Sequence, residues 1–193
     1  MGDGFDFGSV TPVVEPRYFG PVAVLGGGRT VWQDYDRAVS FGIDKFIVTN
    51  DIGSHFHGVI EHWVTLHPLY MKGWRYYRDK HTYGAGTPYR THSVKHEAGI
   101  DHVWNTKAVS MSGTFAVWVA LALGYSKVLL CGVPMDDSGH YFDHPRYITS
   151  NDNRTQRVEW ENAKANWFQD RVRSFSGNTA LWVGEPSMEW LKS

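Results

Sequence analysis

The run Ser112-Gly-Thr-Phe-Ala-Val-Trp-Val-Ala-Leu-Ala-Leu-Gly124-Tyr-Ser-Lys-Val-Leu-Leu-Cys131-Gly132-Val-Pro-Met-Asp136 decides the fold. Its first half, Thr114 to Leu123, is almost entirely apolar and free of proline, and it stops at Gly124, the residue type that most readily closes a helix. Its second half, Lys127-Val-Leu-Leu-Cys131, is a short unbroken apolar run, the mark of a strand covered on both faces. Gly132 ends that strand. A helix apolar on every side, next to a strand buried on both faces, needs a sheet to pack against.

Upstream the same alternation recurs. Pro21-Val-Ala-Val-Leu25 reads as a short buried strand stopped by Gly26-Gly27-Gly28. Thr30 to Ala38 reads as an amphipathic helix, with Thr30 as N-cap and Val31, Tyr35 and Ala38 on one face. Lys45-Phe-Ile-Val-Thr49 is a second strand ending at Asn50-Asp51. His62-Trp-Val-Thr-Leu66 is a third, ending at His67-Pro68 before a helix over Leu69 to Asp79. Residues 83–88 form a Gly-rich loop and 89–95 a further candidate strand. Downstream, residues 135–153 read as a polar loop. Val158, Ala165, Phe168 and Val172 predict a helix from Arg154 to Phe175. Ala180-Leu-Trp-Val183 reads as a last strand, and Ser187 to Leu191 as a short helix. The pattern predicts an α/β chain, a Rossmann-like and mostly parallel sheet with helices on both faces. Residues 1–193 fit a single domain, with 1–20 as an irregular arm.

Composition narrows the function classes. A formal charge of −1 leaves no long-range field for duplex DNA or anionic lipid. One cysteine, Cys131, excludes an intrachain disulfide framework and fits a reducing compartment; its place in an apolar strand points to burial rather than nucleophilic chemistry. No apolar leader opens the chain, and the longest apolar stretch, Phe115 to Leu123, is about half a membrane span. The expectation is a cytoplasmic protein with no membrane partner and no strong nucleic-acid signal. His55, His57 and His62 lack the Cys or carboxylate partners of a metal site, so no metal is expected from them.

In parallel sheets ligands bind at the carboxyl ends of the strands, which collects the candidate residues. Gly26, Gly27, Gly28, Arg29 and Thr30 lie between a strand and a helix, where glycines let backbone approach a phosphate; the sixth position of a G-x-G-x-x-G fingerprint is Val31, so that motif fails. Asn50 and Asp51 end the second strand and can read ribose or base edges. His67 ends the third. Ser112 and Gly113 open the apolar helix, where Ser112 would serve as N-cap and the free N–H groups could bind an anion. Asp136 and Asp137 follow the strand ending at Cys131. His140 and His144 lie in the polar loop beyond, with a side chain suited to general base work.

The order of these features resembles the sialyltransferase-like Rossmann superfamily, which includes bacterial sialyltransferases using CMP-sugars, the 6-hydroxymethylpterin pyrophosphokinase-like proteins, and short phage proteins of similar style. The likeness is closest over Ser112 to Asp136 and looser over residues 21–145. It implies that Gly26, Gly28 and Thr30 hold phosphate or ribose, that Asn50 contacts the nucleotide, and that Ser112 and Gly113 lie near the cytidine or the phosphates. It implies a counterpart for Asp136, and a catalytic base at His140 or His144. Arg29 stands where those families have a proline, and Pro134-Met135 displaces their acidic residue.

These readings converge on a nucleotide-dependent transferase, foremost a glycosyltransferase with a nucleotide-sugar donor. Gly26, Gly28, Asn50 and Ser112 would hold the nucleotide, His140 or His144 would deprotonate the acceptor, and Arg29 or Tyr141 would stabilise the departing phosphate. The rivals are phosphoryl or pyrophosphoryl transfer, with Asp136 and Asp137 holding Mg²⁺, and a protein that binds nucleotide without turnover.

Overall fold

A computed structural model describes residues 18–84, 86–106, 109–143 and 153–193. Seven strands form one sheet, every pair of them parallel. They are β1 (Pro21–Leu25), β2 (Phe46–Thr49), β3 (His62–Val64), β4 (Arg90–Ser93), β5 (His102–Val103), β6 (Lys127–Cys131) and β7 (Val172–Ser174), in the order β5-β4-β3-β2-β1-β6-β7. The sheet is Rossmann-like, as the alternation predicts. The helices are α1 (Val31–Ser40), α2 (Ile52–His55), α3 (Met71–Lys80), α4 (Ser112–Ala122), α5 (Asn153–Ala163), α6 (Gly177–Val183) and α7 (Met188–Lys192). Of the residues 1–20 arm, only 18–20 fall among the described residues. None of the described helices is long and apolar enough to cross a membrane.

Both faces of the sheet are covered because the strands are apolar at successive positions. Val22 and Val24 of β1, with Val128 and Leu130 of β6, face a layer built from α4, α5 and α6. Ala23 and Leu25, with Leu129 and Cys131, face the layer that holds Val31, Ile52, Met71 and Trp190 from α1, α2, α3 and α7. Helix α4 is apolar all round since the sheet buries one side and α5 shields another, with Phe115 to Val119 and Trp160 in one cluster. It ends in the expected glycine: Tyr125 N–H donates to Ala120 O, Gly124 N–H donates to Leu121 O, and Gly124 sits at φ +99°.

Two expectations in the last third are corrected. The helix predicted from Arg154 to Phe175 stops earlier, with α5 passing into a wider π-type turn over Lys164–Phe168. Gln169 and Asp170 then take left-handed conformations and redirect the chain into β7. Val158, counted on the buried face, is 56% exposed. The strand predicted at Ala180 to Val183 is instead helix α6, with Thr179 and Val183 inward and Leu181 81% exposed. An apolar run of four residues fits either element, and length alone could not arbitrate.

Beneath β3 and β4 lies a buried imidazole pair. Trp104 Nε1–H donates to His92 Nδ1 at 2.9 Å, which leaves the proton of a neutral His92 on Nε2, facing His62 Nδ1 at 2.9 Å. Burial, then the charges of Arg90 and His102, brings His62 from 6.5 down to about 4; burial first, then His62, holds His92 well below its ordinary value. Both rings take protons more readily in the unfolded chain, so their contribution to stability is complete above pH 6.5 and is lost as pH falls toward 4. For His62 alone the loss over that window is about 3 kcal/mol. Urea unfolding at pH 7.5 and 4.5 should show it, and His62→Gln, which keeps an acceptor for His92, should flatten the slope. An equal slope in wild type and variant would refute the assignment.

Candidate functional site

Strands β1 and β6 are neighbours, but their connections run to opposite sides of the sheet. The chain leaves β1 toward β2, and β6 leads on to β7 at the other edge. At such a switch point the loops after the two strands part and leave a crevice. Here it is a cleft of about 360 Å³. Its wall takes Gly26, Gly27 and Gly28 from the loop after β1, Thr49 and Asn50 from the end of β2, and His67 from beyond β3. Ser110 to Gly113 come from the start of α4, Gly132 to Asp136, Gly139 and His140 from the loop after β6, and Gln156 from α5.

Of the fourteen candidate residues collected from the sequence, nine line this cleft: Gly26, Gly27, Gly28, Asn50, His67, Ser112, Gly113, Asp136 and His140. Arg29, Thr30 and Asp51 stand behind the wall. Arg29 Nε donates to Ser138 O at 2.6 Å and its Nη2 to Asp143 O at 3.0 Å, clamping the loop after β6. Asp51 Oδ2 accepts from the Tyr141 hydroxyl at 3.0 Å. His144 lies outside the described residues.

The glycines do different work. A Cβ on Gly26 would lie 2.6 Å from Val133 Cγ2 and 2.7 Å from Gly132 O, and one on Gly28 would run into the Pro134 ring. These two let the loops after β1 and β6 pack edge to edge, with Gly28 N–H bonded to Gly132 O at 2.8 Å. Gly27 differs: a Cβ there would meet nothing closer than His140 Cδ2 at 3.5 Å, and its N–H has no acceptor among the described residues. Gly27, on the cleft wall, therefore keeps a donor that no described residue takes up. Gly28→Ala is expected to cost about 1–3 kcal/mol by overpacking, while Gly27→Ala stays within about 0.5 kcal/mol. Parallel urea melts would check the contrast, and equal losses would contradict it.

Asn50 sits at φ +49°, a left-handed turn that Asn tolerates. Its Oδ1 accepts from Thr65 Oγ1 at 2.8 Å and Ser112 Oγ at 3.0 Å, which fixes the side chain and leaves the amide N–H₂ without an acceptor among the described residues. Ser112 does not cap α4, contrary to expectation. It is the first residue of the helix, and Met111 stands at the cap position with no side-chain bond. The N–H groups of Ser112 and Gly113 thus face the cleft unpaired among the described residues, with the positive end of the helix dipole behind them. Glu159 of α5 approaches the same end, accepting from Ser110 N–H at 3.1 Å and from the hydroxyls of Ser110 and Thr114.

The loop after β6 is stitched to the glycine loop. Arg29 N–H donates to Gly139 O, Tyr141 N–H donates to Gly27 O, and Gly28 and His140 form an antiparallel bridge. His140 is held at the rim with its side chain 48% exposed and its Nδ1 3.5 Å from Asp143 Oδ2. The Asp143 carboxyl is kept below the usual carboxylate range, first by the His140 backbone N–H, and then by the charges of His140 and Arg29. A carboxylate at Nδ1 orients the ring and leaves Nε2 to exchange a proton with a ligand. Asp136 is the one acidic side chain among the described lining residues, and its Oδ1 accepts from Ser138 N–H at 2.9 Å. Asp137 is exposed and outside the wall. Among the described residues no three His, Cys, Asp or Glu side chains group closely enough to hold a metal ion.

Asp34 escapes a reading of the sequence. It is buried within α1, and its Oδ2 accepts from Gly132 N–H at 2.9 Å, Thr30 Oγ1 at 2.9 Å and Ser176 Oγ at 2.6 Å. One carboxylate so pins the end of β6, the start of α1 and the loop after β7. Its only sequence signal is a charge on the inward face of an amphipathic helix. Cys131 is fully buried beside it, its thiol pushed well up by burial, as expected for a structural cysteine.

The chain matches no family model, and no curated protein or solved structure matches it either.

Proposed function

We propose that the cleft binds the phosphates of a nucleotide and that the chain is a nucleotide-dependent transferase, foremost a glycosyltransferase using a nucleotide-sugar donor. One observation carries this reading: N–H groups with no acceptor among the described residues, from Gly27, the Asn50 amide and the start of α4, lie on one cleft at the β1/β6 switch point beside an oriented imidazole. A set of donors with no cation among the described lining residues suits a phosphate held by backbone and helix dipole.

In this reading His140 Nε2 takes the proton of an acceptor hydroxyl. That oxygen bonds to the anomeric carbon, and the carbon–oxygen bond to the donor phosphate breaks. The electron pair leaves on the nucleotide, where the N–H groups of Gly27, Ser112 and Gly113 receive the charge. Asp136 on the wall favours a second reading, phosphoryl or pyrophosphoryl transfer. There it would hold Mg²⁺ with one carboxylate oxygen, the remaining ligands coming from substrate phosphates and water.

A thermal-shift panel of nucleoside mono- and diphosphates and nucleotide-sugars tests the site. A ligand at 100 times its Kd adds about 2.7 kcal/mol, or about 5–10 °C for a chain of this size. No shift from any of them would overturn the proposal. Product formation that survives EDTA supports sugar transfer, its loss in EDTA supports the Mg²⁺ reading, and tight binding without product leaves a nucleotide-binding protein.

A further inference from the structure

Behind the Tyr141–Asp51 hydrogen bond lies a second cavity, of about 510 Å³, open to solvent. Its wall is built from Trp32, Tyr35 and Asp36 of α1, from the segment His55 to Gly58 at and after the end of α2, and from Tyr141. Tyr141 follows directly on His140, so the imidazole at the rim of the cleft stands at the partition between the two cavities. We infer that this second cavity is a binding site for a neutral pyranose, the acceptor whose hydroxyl meets His140.

Three observations carry the chemistry. First, the wall is rigid before any ligand arrives. Buried Arg78 donates to Gly53 O at 3.0 Å, to Phe56 O, and to Gly58 O at 2.7 Å, so one guanidinium ties down the segment that presents His55 and Phe56. Second, neighbouring rings meet edge to face. Trp32 and Tyr141 lie at 77°, Tyr35 and Phe56 at 77°, and His55 and Tyr141 at 60°. A flat base is best held between parallel faces, and these pairs offer none. A sugar chair needs one aromatic face for its C–H side and polar edges for its equatorial hydroxyls, and this corner supplies both. Third, beside the imidazoles of His55 and His57 the fixed charge of the described wall is of one sign. Asp36 lies in the wall, Asp51 stands behind Tyr141, and neither Lys nor Arg is among the described lining residues. A phosphate or a carboxylated sugar would be repelled here, whereas the first cleft presents N–H groups to an anion. The two cavities therefore select opposite kinds of ligand across one wall.

That the sugar is an acceptor rests on the transferase reading; that a sugar binds does not. Saturation-transfer NMR with lactose, cellobiose and methyl N-acetylglucosaminide, with adenosine and uridine as controls, tests the site directly. At least one sugar should receive saturation at millimolar concentration and neither nucleoside should do so in this cavity. Trp32→Ala, at a partly exposed position on α1, should weaken sugar binding about tenfold, with Trp32→Phe retaining most of it. Asp36→Asn, at an exposed position of the wall, should weaken it several-fold, and the thermal shift from nucleotides should be unchanged in all three. Silence from every sugar, or sugar signals indifferent to both Trp32→Ala and Asp36→Asn, would overturn the inference. So would saturation of a nucleoside that Trp32→Ala abolishes. If sugars bind while no nucleotide shifts the melting temperature, the transferase reading falls and the sugar site stands; the reverse result removes the sugar site alone.

Discussion

His140→Ala is expected to reduce turnover by about 10²–10⁴-fold, equivalent to about 2.7–5.4 kcal/mol of barrier, while the Kd for nucleotide stays within a few-fold. The split follows from where His140 stands. It reaches the cleft from the rim, at the partition, whereas the donors proposed for phosphate belong to Gly27, Asn50 and the start of α4. Removing the ring takes away a proton acceptor and leaves those donors in place. His140→Gln and Asp143→Asn refine the test. The first keeps a polar side chain that cannot act as base, and should be as slow as alanine. The second keeps the imidazole but weakens the contact that orients it, and should lower turnover less. Steady-state kinetics beside equilibrium binding would check the set. Wild-type turnover in His140→Ala would move the base elsewhere, to His67 on the same wall.

The second large effect is on stability. Asp34→Ala should cost about 3–5 kcal/mol, because three donors lose a shared charged acceptor and the Gly132 N–H is left buried without one. At this chain length that lowers the melting temperature by about 6–20 °C. Asp34→Asn should lose less, since its amide oxygen can still accept from Gly132. The damage should reach the site as well: with the end of β6 unpinned, the facing loops that frame the cleft lose their register. Thermal melts of both variants, with nucleotide shifts on whatever remains folded, would measure the two consequences. A melting temperature within about 2 °C of wild type would show that the carboxylate is dispensable.

The central sheet was legible because β1, β2, β3 and β6 are short, mostly apolar runs followed by Gly, Asn or Pro, and α4 because its apolar surface ends at a glycine. Legibility failed where local pattern and tertiary demand diverge. Phe168 and Val172 keep a helical spacing, yet left-handed Gln169 and Asp170 separate a helix from a strand between them. Strand β5 is two residues long and polar at its start, and its place depends on pairing with β4. The cleft residues were found by one rule about strand ends. What that rule could not find were the residues that hold the site from behind: Asp34, Glu159 and Arg78 bond to backbone and hydroxyls far along the chain, and nothing in their neighbouring sequence marks it. Ser112 was placed correctly and given the wrong partner, because a hydroxyl at a helix start is read as a cap unless Asn50 is known to face it.

The pairing of β1 with β6 also sets the order in which the site can come into being. The chain between β1 and β2 spans roughly 20 residues, and that between β1 and β6 roughly 100, so closing the longer loop costs about 1.4 kcal/mol more in chain entropy. The strands from β1 to β5 can assemble from the first half of the chain, carrying the glycine loop with them. Until Lys127 to Cys131 emerge and add to the open edge of β1, that loop has no facing wall, no Gly132 carbonyl to hold Gly28, and no His140. A nascent or truncated chain that stops short of β6 can therefore hold five of the seven strands while remaining inert toward any ligand of the cleft.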